Sequence, residues 1–337
     1  MKIAILRGPR DLRIEEHPLD TSRLEPDQLW VETQISALKI GTDRGNYEGA
    51  EQVPGAPSFP RWVGDSNLGV VRGIGSAVTR FAAGDRVVSR YHHQSEYVAR
   101  ESECIVKAPQ EVDAEDAVYS HLYALSAKCY RKAHFTPGEN VAVVGLGVLG
   151  LGAAALGPLF GARVAGLANS PVRMEMARRM GAHAAFASND PDLAAKLDRF
   201  TGGDGIDLVI LTANPWPAYR TALEVVRPNG RVAIVALTGR GEKPLDFNPL
   251  AMDLFYAKGI SLIAVSEQDG YLYPIRGERF SGERACAHVL SLMAEGRLEP
   301  KRLVTHRFKY QDMAEAYEMA YRREKEMLGV IFQWNSN

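Results

Sequence analysis

The chain has 337 residues, with 40 basic against 41 acidic side chains and a formal net charge of −1. That length accommodates two domains with cores of their own, and the balanced charge removes any global field that would draw the protein to nucleic acid or to a membrane surface. Three cysteines, Cys104, Cys129 and Cys286, lie far apart without a C-x-x-C, which argues against a disulfide framework and a cysteine-built zinc site and points to a reducing cytoplasm.

The N-terminus, MKIAILRGPRDLRIEE, has too short an apolar run for a signal peptide. Residues 1 to about 115 read as β-rich: Met1 to Leu6, Leu29 to Ile35, Leu68 to Gly73 and Arg86 to Ser89 are apolar or alternating runs between Gly, Pro and Asp punctuation, with no long helical period among them. From Asp113 to Ala133 a helical spacing of Ala117, Leu122, Leu125, Cys129 and Ala133 predicts one helix. The next stretch, VAVVGLGVLG (Val141 to Gly150), is a strand breaking into Gly145, Gly147 and Gly150 at the spacing G-x-G-x-x-G. Dinucleotide-binding folds need these glycines for a tight turn, for close approach of a pyrophosphate and for helix–strand packing, and the N–H groups of Val148 and Leu149 at the following helix start would face the phosphates. Although Val141 to Phe160 is uncharged, its glycines and Pro158 fit a buried strand–turn–helix, and no transmembrane segment is expected. Strands then alternate with helices through RVAGLA, IDLVILT, RVAIVAL and ISLIAVS to Ser266, the pattern of a doubly wound parallel sheet. A helix (Glu283 to Glu295), a strand (Leu303 to Phe308), a last helix (Gln311 to Tyr321) and a strand LGVIFQW complete the expected elements.

Several segments, in order, resemble the medium-chain dehydrogenase/reductase superfamily, on the side of its sorbitol, threonine and alcohol dehydrogenases. IGTDRGNYEG (Ile40 to Gly49) is similar to the family's C-G-T-D segment, WVGDSNLGVVRGIGSAVTRFAAGDRV (Trp62 to Val87) to its G-H-E through G-D-R-V segment, and SEYV (Ser95 to Val98) to its A-E-Y-V. The glycine fingerprint and THRFKYQDMAEAYEMA complete the match. The resemblance implies an α/β protein with a GroES-like β-rich catalytic domain, residues 1–120 and 270–337, around a Rossmann domain, residues 121–269. It also implies a small-molecule substrate and a homodimer, or homotetramer, paired along ISLIAVS.

The departures from the family shape the expected chemistry. Its catalytic zinc ligands, the cysteine of C-G-T-D and the histidine and glutamate of G-H-E, correspond here to Ile40, Asp65 and Ser66, short of the ligand set a catalytic zinc needs. The four-cysteine structural-zinc lobe is missing as well, because RVVSRYHHQSEYV runs across its place. No metal is therefore expected, and side chains must handle the alcohol proton. Thr42 matches the family's relay hydroxyl, Asp65 stands in a ligand slot, and His121 falls on the family's metal-facing glutamate. An unperturbed histidine has a pKa of about 6.5, suited to proton transfer near neutrality. Lys39 is placed to stabilise an alkoxide. One of His92 and His93, taken as His93, lines the substrate pocket while the other is at the surface, and Tyr47 and Trp62 either wall that pocket or belong to the core.

An NAD-specific Rossmann domain keeps an acid at the end of its second strand for the ribose diol. Here that position is Ala168, followed by Asn169, Ser170 and Arg173, which removes repulsion of a 2′-phosphate and supplies donors to it, so NADP(H) is favoured over NAD(H). Thr212, Ala236 and Leu237 end later strands and would face the nicotinamide ribose and ring. The expected function is zinc-independent, NADP(H)-dependent interconversion of a secondary alcohol and a ketone, on a polyol, sugar, cyclitol or large hydroxyethyl-bearing ring. Reduction of an activated C=C bond, as in an enone or quinone, is the alternative, and a non-catalytic NADP(H)-binding protein the second.

Overall fold

The computed structural model describes residues 1–50, 58–266 and 281–334. They fall into two compact units, Met1–Ala124 with Phe280–Asn337, and Leu125–Arg279. The expected seam between residues 269 and 270 lies outside the described residues.

The chain opens with β1 (Lys2–Gly8), β2 (Asp11–Glu16), β3 (Gln28–Ala37), α1 (Ile40–Glu48), β4 (Arg61–Trp62), β5 (Asn67–Ile74), β6 (Arg86–Ser89), β7 (Glu96–Arg100) and β8 (Val106–Lys107). Next come α2 (Ala114–Ala117), α3 (Ser120–Lys132), β9 (Asn140–Val144), α4 (Val148–Leu159), β10 (Arg163–Leu167), α5 (Pro171–Arg179), β11 (Ala184–Phe186), α6 (Leu193–Thr201), β12 (Ile206–Leu211), α7 (Trp216–Val225), β13 (Val226–Ile234) and β14 (Ser261–Ala264). The last elements are α8 (Gly282–Ala294), β15 (Val304–Lys309), α9 (Met313–Tyr321) and β16 (Gly329–Gln333).

In the first unit β3 is the hub. It pairs antiparallel with β5, β7 and β16 in a sheet ordered β15-β16-β3-β5-β6-β8. Along most of β3 buried residues alternate with half-buried ones, the period-two signature of a strand with one face in a core. A separate sheet, β2-β1-β4, packs Ala4 and Leu6 into an aromatic-rich core with Tyr47, Tyr310, Tyr317, Phe332 and Trp334. In the second unit six parallel strands run in the order β11-β10-β9-β12-β13-β14. Strand order reverses on either side of β9, so a topological switch point stands at the carboxyl ends of β9 and β12, where open α/β sheets bind ligands.

Two elements differ from the sequence expectation. The single helix predicted over 113–133 is two helices, because Asp113 caps α2 by accepting from the Glu115 N–H at 2.9 Å and the chain turns at residues 118–119, where fully buried Tyr119 sends its hydroxyl to the Val330 carbonyl at 3.3 Å. Apolar spacing alone did not register that break. The sequence also gave no sign of α1: IGTDRGNYE has two glycines and no apolar stripe. It forms because Asp43 accepts from the Lys39 N–H at 2.8 Å, and it ends at Gly49, whose φ of +80° is left-handed.

Candidate active site and cofactor-binding turn

The glycine turn follows β9. Gly145 has a φ of +97°, and a Cβ there would stand 2.7 Å from the Ala213 Cβ and 2.8 Å from Thr212 Oγ1. A Cβ on Gly150 would lie 1.9 Å from the Gly145 carbonyl oxygen, so both positions are glycine for reasons internal to the fold. Thr212 locks the turn by donating its hydroxyl to the Gly145 carbonyl at 2.8 Å. Gly147 is different: its φ of −81° suits any residue, and the nearest atom to a Cβ there is Arg173 Nη1 at 3.8 Å. Neither backbone nor packing demands that glycine, and it caps the N-terminus of α4 without a side-chain hydrogen bond to the first turn, formed by Val148, Leu149 and Gly150. An open approach and uncapped N–H groups fit a dinucleotide's phosphates. Gly147→Ala is therefore expected to keep the unfolding midpoint within a few degrees while weakening dinucleotide binding at least tenfold; equal losses in thermal melts and fluorescence titrations would contradict this reading.

Around that turn, Ala168 is buried at the end of β10 and Asn169 is exposed, its side-chain oxygen accepting from the Asn189 N–H at 3.1 Å. Ser170 caps α5 by accepting from the Arg173 N–H. The Arg173 guanidinium spans from α5 back to the turn, donating to the Leu146 carbonyl at 3.0 Å, and burial lowers its pKa. It lies between the strand end and the glycine turn, not beyond the strand on the helix surface. Ala236 packs against the core of this unit, whereas Leu237 is exposed and donates its N–H to the Asn214 side chain at 3.1 Å.

In the first unit, separate segments converge on a polar cluster. Lys39, the N-cap of α1, donates its ammonium to Asp65 Oδ2, and the Arg90 guanidinium stands 3.7 Å from the same oxygen. Burial opposes ionisation of Asp65, but Lys39 and Arg90 outweigh it and hold the carboxyl below its ordinary pKa. Asp43 is the opposite case. Buried beneath the pair, it accepts backbone N–H groups of Lys39 and Gly64, and burial together with the charge of Asp65 pushes it up to about 7. The Tyr317 hydroxyl lies beside it.

His121 stands at the start of α3 with its ring hydrogen-bonded to the backbone of Val88, the strand residue two before Arg90. Its Nε2 is buried and has no partner among the described residues, so the Val88 bond falls to Nδ1. Nδ1–H donating to a carbonyl leaves Nε2 as a bare acceptor. Burial, reinforced by Arg90, pushes this histidine down to about 4, well below the value an unperturbed imidazole would have. Thr42 is half-buried in the first turn of α1.

The remaining pocket candidates resolve differently. His93 is 0% exposed and does not line a solvent-reached pocket. Trp334 Nε1–H donates to Ser36 Oγ at 2.9 Å, His93 Nδ1 is hydrogen-bonded to the same hydroxyl at 2.8 Å, and the ring packs edge-on to Phe332 with centroids 5.0 Å apart. A Cβ on Gly64 would come within 2.6 Å of that ring. Burial pushes His93 down to about 3: it is a neutral core histidine, because the segment between β6 and β7 turns it inward and leaves its neighbour His92 exposed. Tyr47 also belongs to the core, packed on Tyr317 and Tyr321 with its hydroxyl donating to Glu318 at 3.0 Å. Trp62 is 48% exposed and borders a shallow cleft of about 260 Å³ with Leu19, Tyr91 and His92. Ile40 packs against the aromatic core, and among the described residues no group of three or more His, Cys, Asp or Glu could hold a metal ion. Sequence reasoning missed Asp43, Arg90 and Tyr317; Asp43 was in view within the C-G-T-D-like segment, while the other two had no local signal.

One unit is thus a parallel sheet with a glycine turn of the dinucleotide-binding kind, and the other a β-rich fold carrying a partly buried polar cluster. Residues 148–271 match the family model described as zinc-binding dehydrogenase. The chain is 24% identical to sorbitol dehydrogenase of Bacillus subtilis (strain 168), covering 98% of this chain and 96% of that protein. It is 32% identical to L-galactonate-5-dehydrogenase of Escherichia coli (strain K12) over 65% of this chain and 59% of that one. The alcohol dehydrogenase TADH from Thermus sp. ATN1 superposes with a TM-score of 0.81 at 22% identity, covering 99% of both chains. These likenesses support the medium-chain dehydrogenase/reductase superfamily. Among the described residues no helix is long and apolar enough to cross a membrane.

Proposed function

We propose that the protein interconverts a secondary alcohol and a ketone with NADP(H), without zinc, using Lys39, Asp65 and His121 where the family's metal would act. The observation that carries this reading is the Lys39–Asp65 ion pair beside a neutral His121 whose Nε2 is bare. When bound, the nicotinamide supplies the hydride acceptor or donor. As hydride passes from the carbinol carbon to the nicotinamide, His121 Nε2 takes the proton of the substrate hydroxyl, returning it in the reverse direction, and the Lys39 ammonium stabilises the charge that develops on that oxygen. Asp65 stays ionised and keeps Lys39 in place, while Thr42 adds a hydroxyl at the start of α1. With Ile40 committed to packing and Asp65 to Lys39, the donor set does not suit a catalytic zinc.

NADP(H) is favoured because Ala168 offers no carboxylate to repel a 2′-phosphate and Arg173 spans the interval between strand end and glycine turn. The names of the relatives, a sorbitol dehydrogenase and an L-galactonate-5-dehydrogenase, support polyols and related sugar compounds as the substrate class. Pairing of two copies along the sheet edge at β14 completes the proposal; Leu250, Met252 and Tyr256 are exposed nearby in sequence.

Chelator-treated protein is expected to oxidise members of a polyol panel with NADP⁺, followed by absorbance at 340 nm, and Ala168→Asp is expected to move the cofactor preference toward NAD⁺ at least tenfold. A strict requirement for stoichiometric zinc, or an unchanged preference in the variant, would count against the respective halves of the proposal.

A further inference from the structure

In the parallel-sheet unit a groove of about 630 Å³ runs beside β11, the outermost strand, and is lined from β11, α5 and α6. That volume lies within the range of about 300–1,000 Å³ in which small molecules bind. The groove is separate from the glycine turn. Arg173, which reaches the Leu146 carbonyl, and Arg178, which lines the groove, are five positions apart on α5 and so about 140° apart around the helix. Arg178 also donates to the Ala185 carbonyl at 2.8 Å, which covers a backbone acceptor of the edge strand and disfavours the addition of another strand there. Three cations, Arg178, Lys196 and Arg199, line the groove against one carboxylate, Asp190, which is already paired with Lys196 and accepts the Asp192 N–H at 2.9 Å. Arg199 is exposed, and its side chain has no hydrogen bond or ion pair among the described residues. Phe186 and Phe200 meet edge to face with centroids 6.2 Å apart, and the Arg163 guanidinium covers the Phe200 ring at 4.6 Å. Half-buried Phe186 is therefore the aromatic surface left to the groove.

We propose that this groove binds a flat, ring-bearing anion, with its phosphate or carboxylate on Arg199 and its ring against Phe186. An inorganic anion would use the charge alone, and a neutral ring the phenyl surface alone. A molecule carrying both matches the planar fork of donors and the aromatic surface together. Its occupant is a second ligand of the protein, bound whether or not a dinucleotide is present, and the proposal stands apart from the alcohol–ketone reaction and its substrate.

The test is calorimetric titration of the full chain, with and without saturating NADP⁺ or NAD⁺. The probes are nucleoside monophosphates, aromatic carboxylates, inorganic phosphate and the neutral nucleosides. A ring-bearing anion is expected to bind the dinucleotide-saturated protein about tenfold or more tightly than inorganic phosphate or the neutral ring compound, with the advantage over the neutral compound shrinking as salt rises. Arg199→Gln is expected to weaken that binding about tenfold, the worth of one charge-assisted pair, with the unfolding midpoint unchanged. Phe186→Leu is expected to bring the ring-bearing anion down to the level of inorganic phosphate, with dinucleotide affinity unchanged. Preference for the nucleotides identifies a phosphate, and preference for the aromatic acids a carboxylate. No binding by either class, binding no tighter than that of inorganic phosphate, binding lost once dinucleotide is saturating, or binding unchanged in Arg199→Gln would overturn the proposal.

Discussion

Lys39→Met is expected to lower kcat for alcohol oxidation by about 10²–10³-fold, the range seen when one preorganised donor to a developing oxyanion is removed. Methionine keeps the length and apolar stem of lysine and deletes the charge. Cofactor affinity is expected to stay within about twofold, since the glycine turn and Arg173 belong to the other unit. The variant also leaves Asp65 without its direct partner, and because that pair is partly exposed the stability cost is about 2 kcal/mol, below the ~3–5 kcal/mol of a fully buried pair broken on one side. Lys39→Met combined with Asp65→Asn separates the two effects. Removing both charges should return most of the stability in urea titrations and none of the rate. A Lys39→Met enzyme within about threefold of the native kcat would remove Lys39 from the chemistry.

The second large effect is hidden in the native protein and appears in single variants. His93 and His121 are pushed down to about 3 and about 4, while an unfolded histidine titrates at about 6.5. Between those values the unfolded chain binds more protons than the folded one, so each contributes stability fully present above about 6.5 and lost as pH falls toward its folded pKa. From pH 7 to pH 5 the loss is about 2 kcal/mol per histidine. Asp43 and Asp116, raised to about 7 and about 6 chiefly by burial, act with the opposite sign. The folded state holds their protons where the unfolded chain has released them, so the same acidification stabilises it, by about 2 kcal/mol for Asp43 and about 1 for Asp116. The native first unit should therefore change little in stability between pH 7 and pH 5. His93→Gln should become more stable relative to native on acidification, and Asp43→Asn less stable, each by about 2 kcal/mol in hydrogen exchange of β3 and β5 amides. Parallel pH dependence in both variants would show that these groups do not titrate as their burial requires.

The parallel-sheet unit was legible because its signals are local. β9, the glycine turn and α4 follow one another in the chain, and the Gly145 and Gly150 constraints act within a few residues or against the adjoining strand. The same holds for the alternation of strands and helices, whose period needs no knowledge of partners. The candidate site was legible only in part. Asp65 and Lys39 could be named from the family-like segments, but their ion pair joins positions 26 apart, and the Val88 contact that fixes His121 joins two further segments. His93 and Tyr47 look from sequence like ordinary polar residues near a site. Their burial depends on Phe332, Trp334, Glu318 and Tyr317, more than 200 residues downstream.

The sequence by itself determined that a G-x-G-x-x-G turn follows a strand and that Ala168 ends the next one, which are properties of residue type and short spacing; the resemblance to the family added that Ile40 stands where a metal-binding thiol would be. Only the tertiary structure decided which charged groups meet. Desolvation and charge–charge interaction depend on distances between segments remote in the chain, so the ionised Asp65 with Lys39 and Arg90, the protonatable Asp43 and the neutral His121 with its bare nitrogen exist as a set only once β3, α1, β5, β6 and α3 have packed.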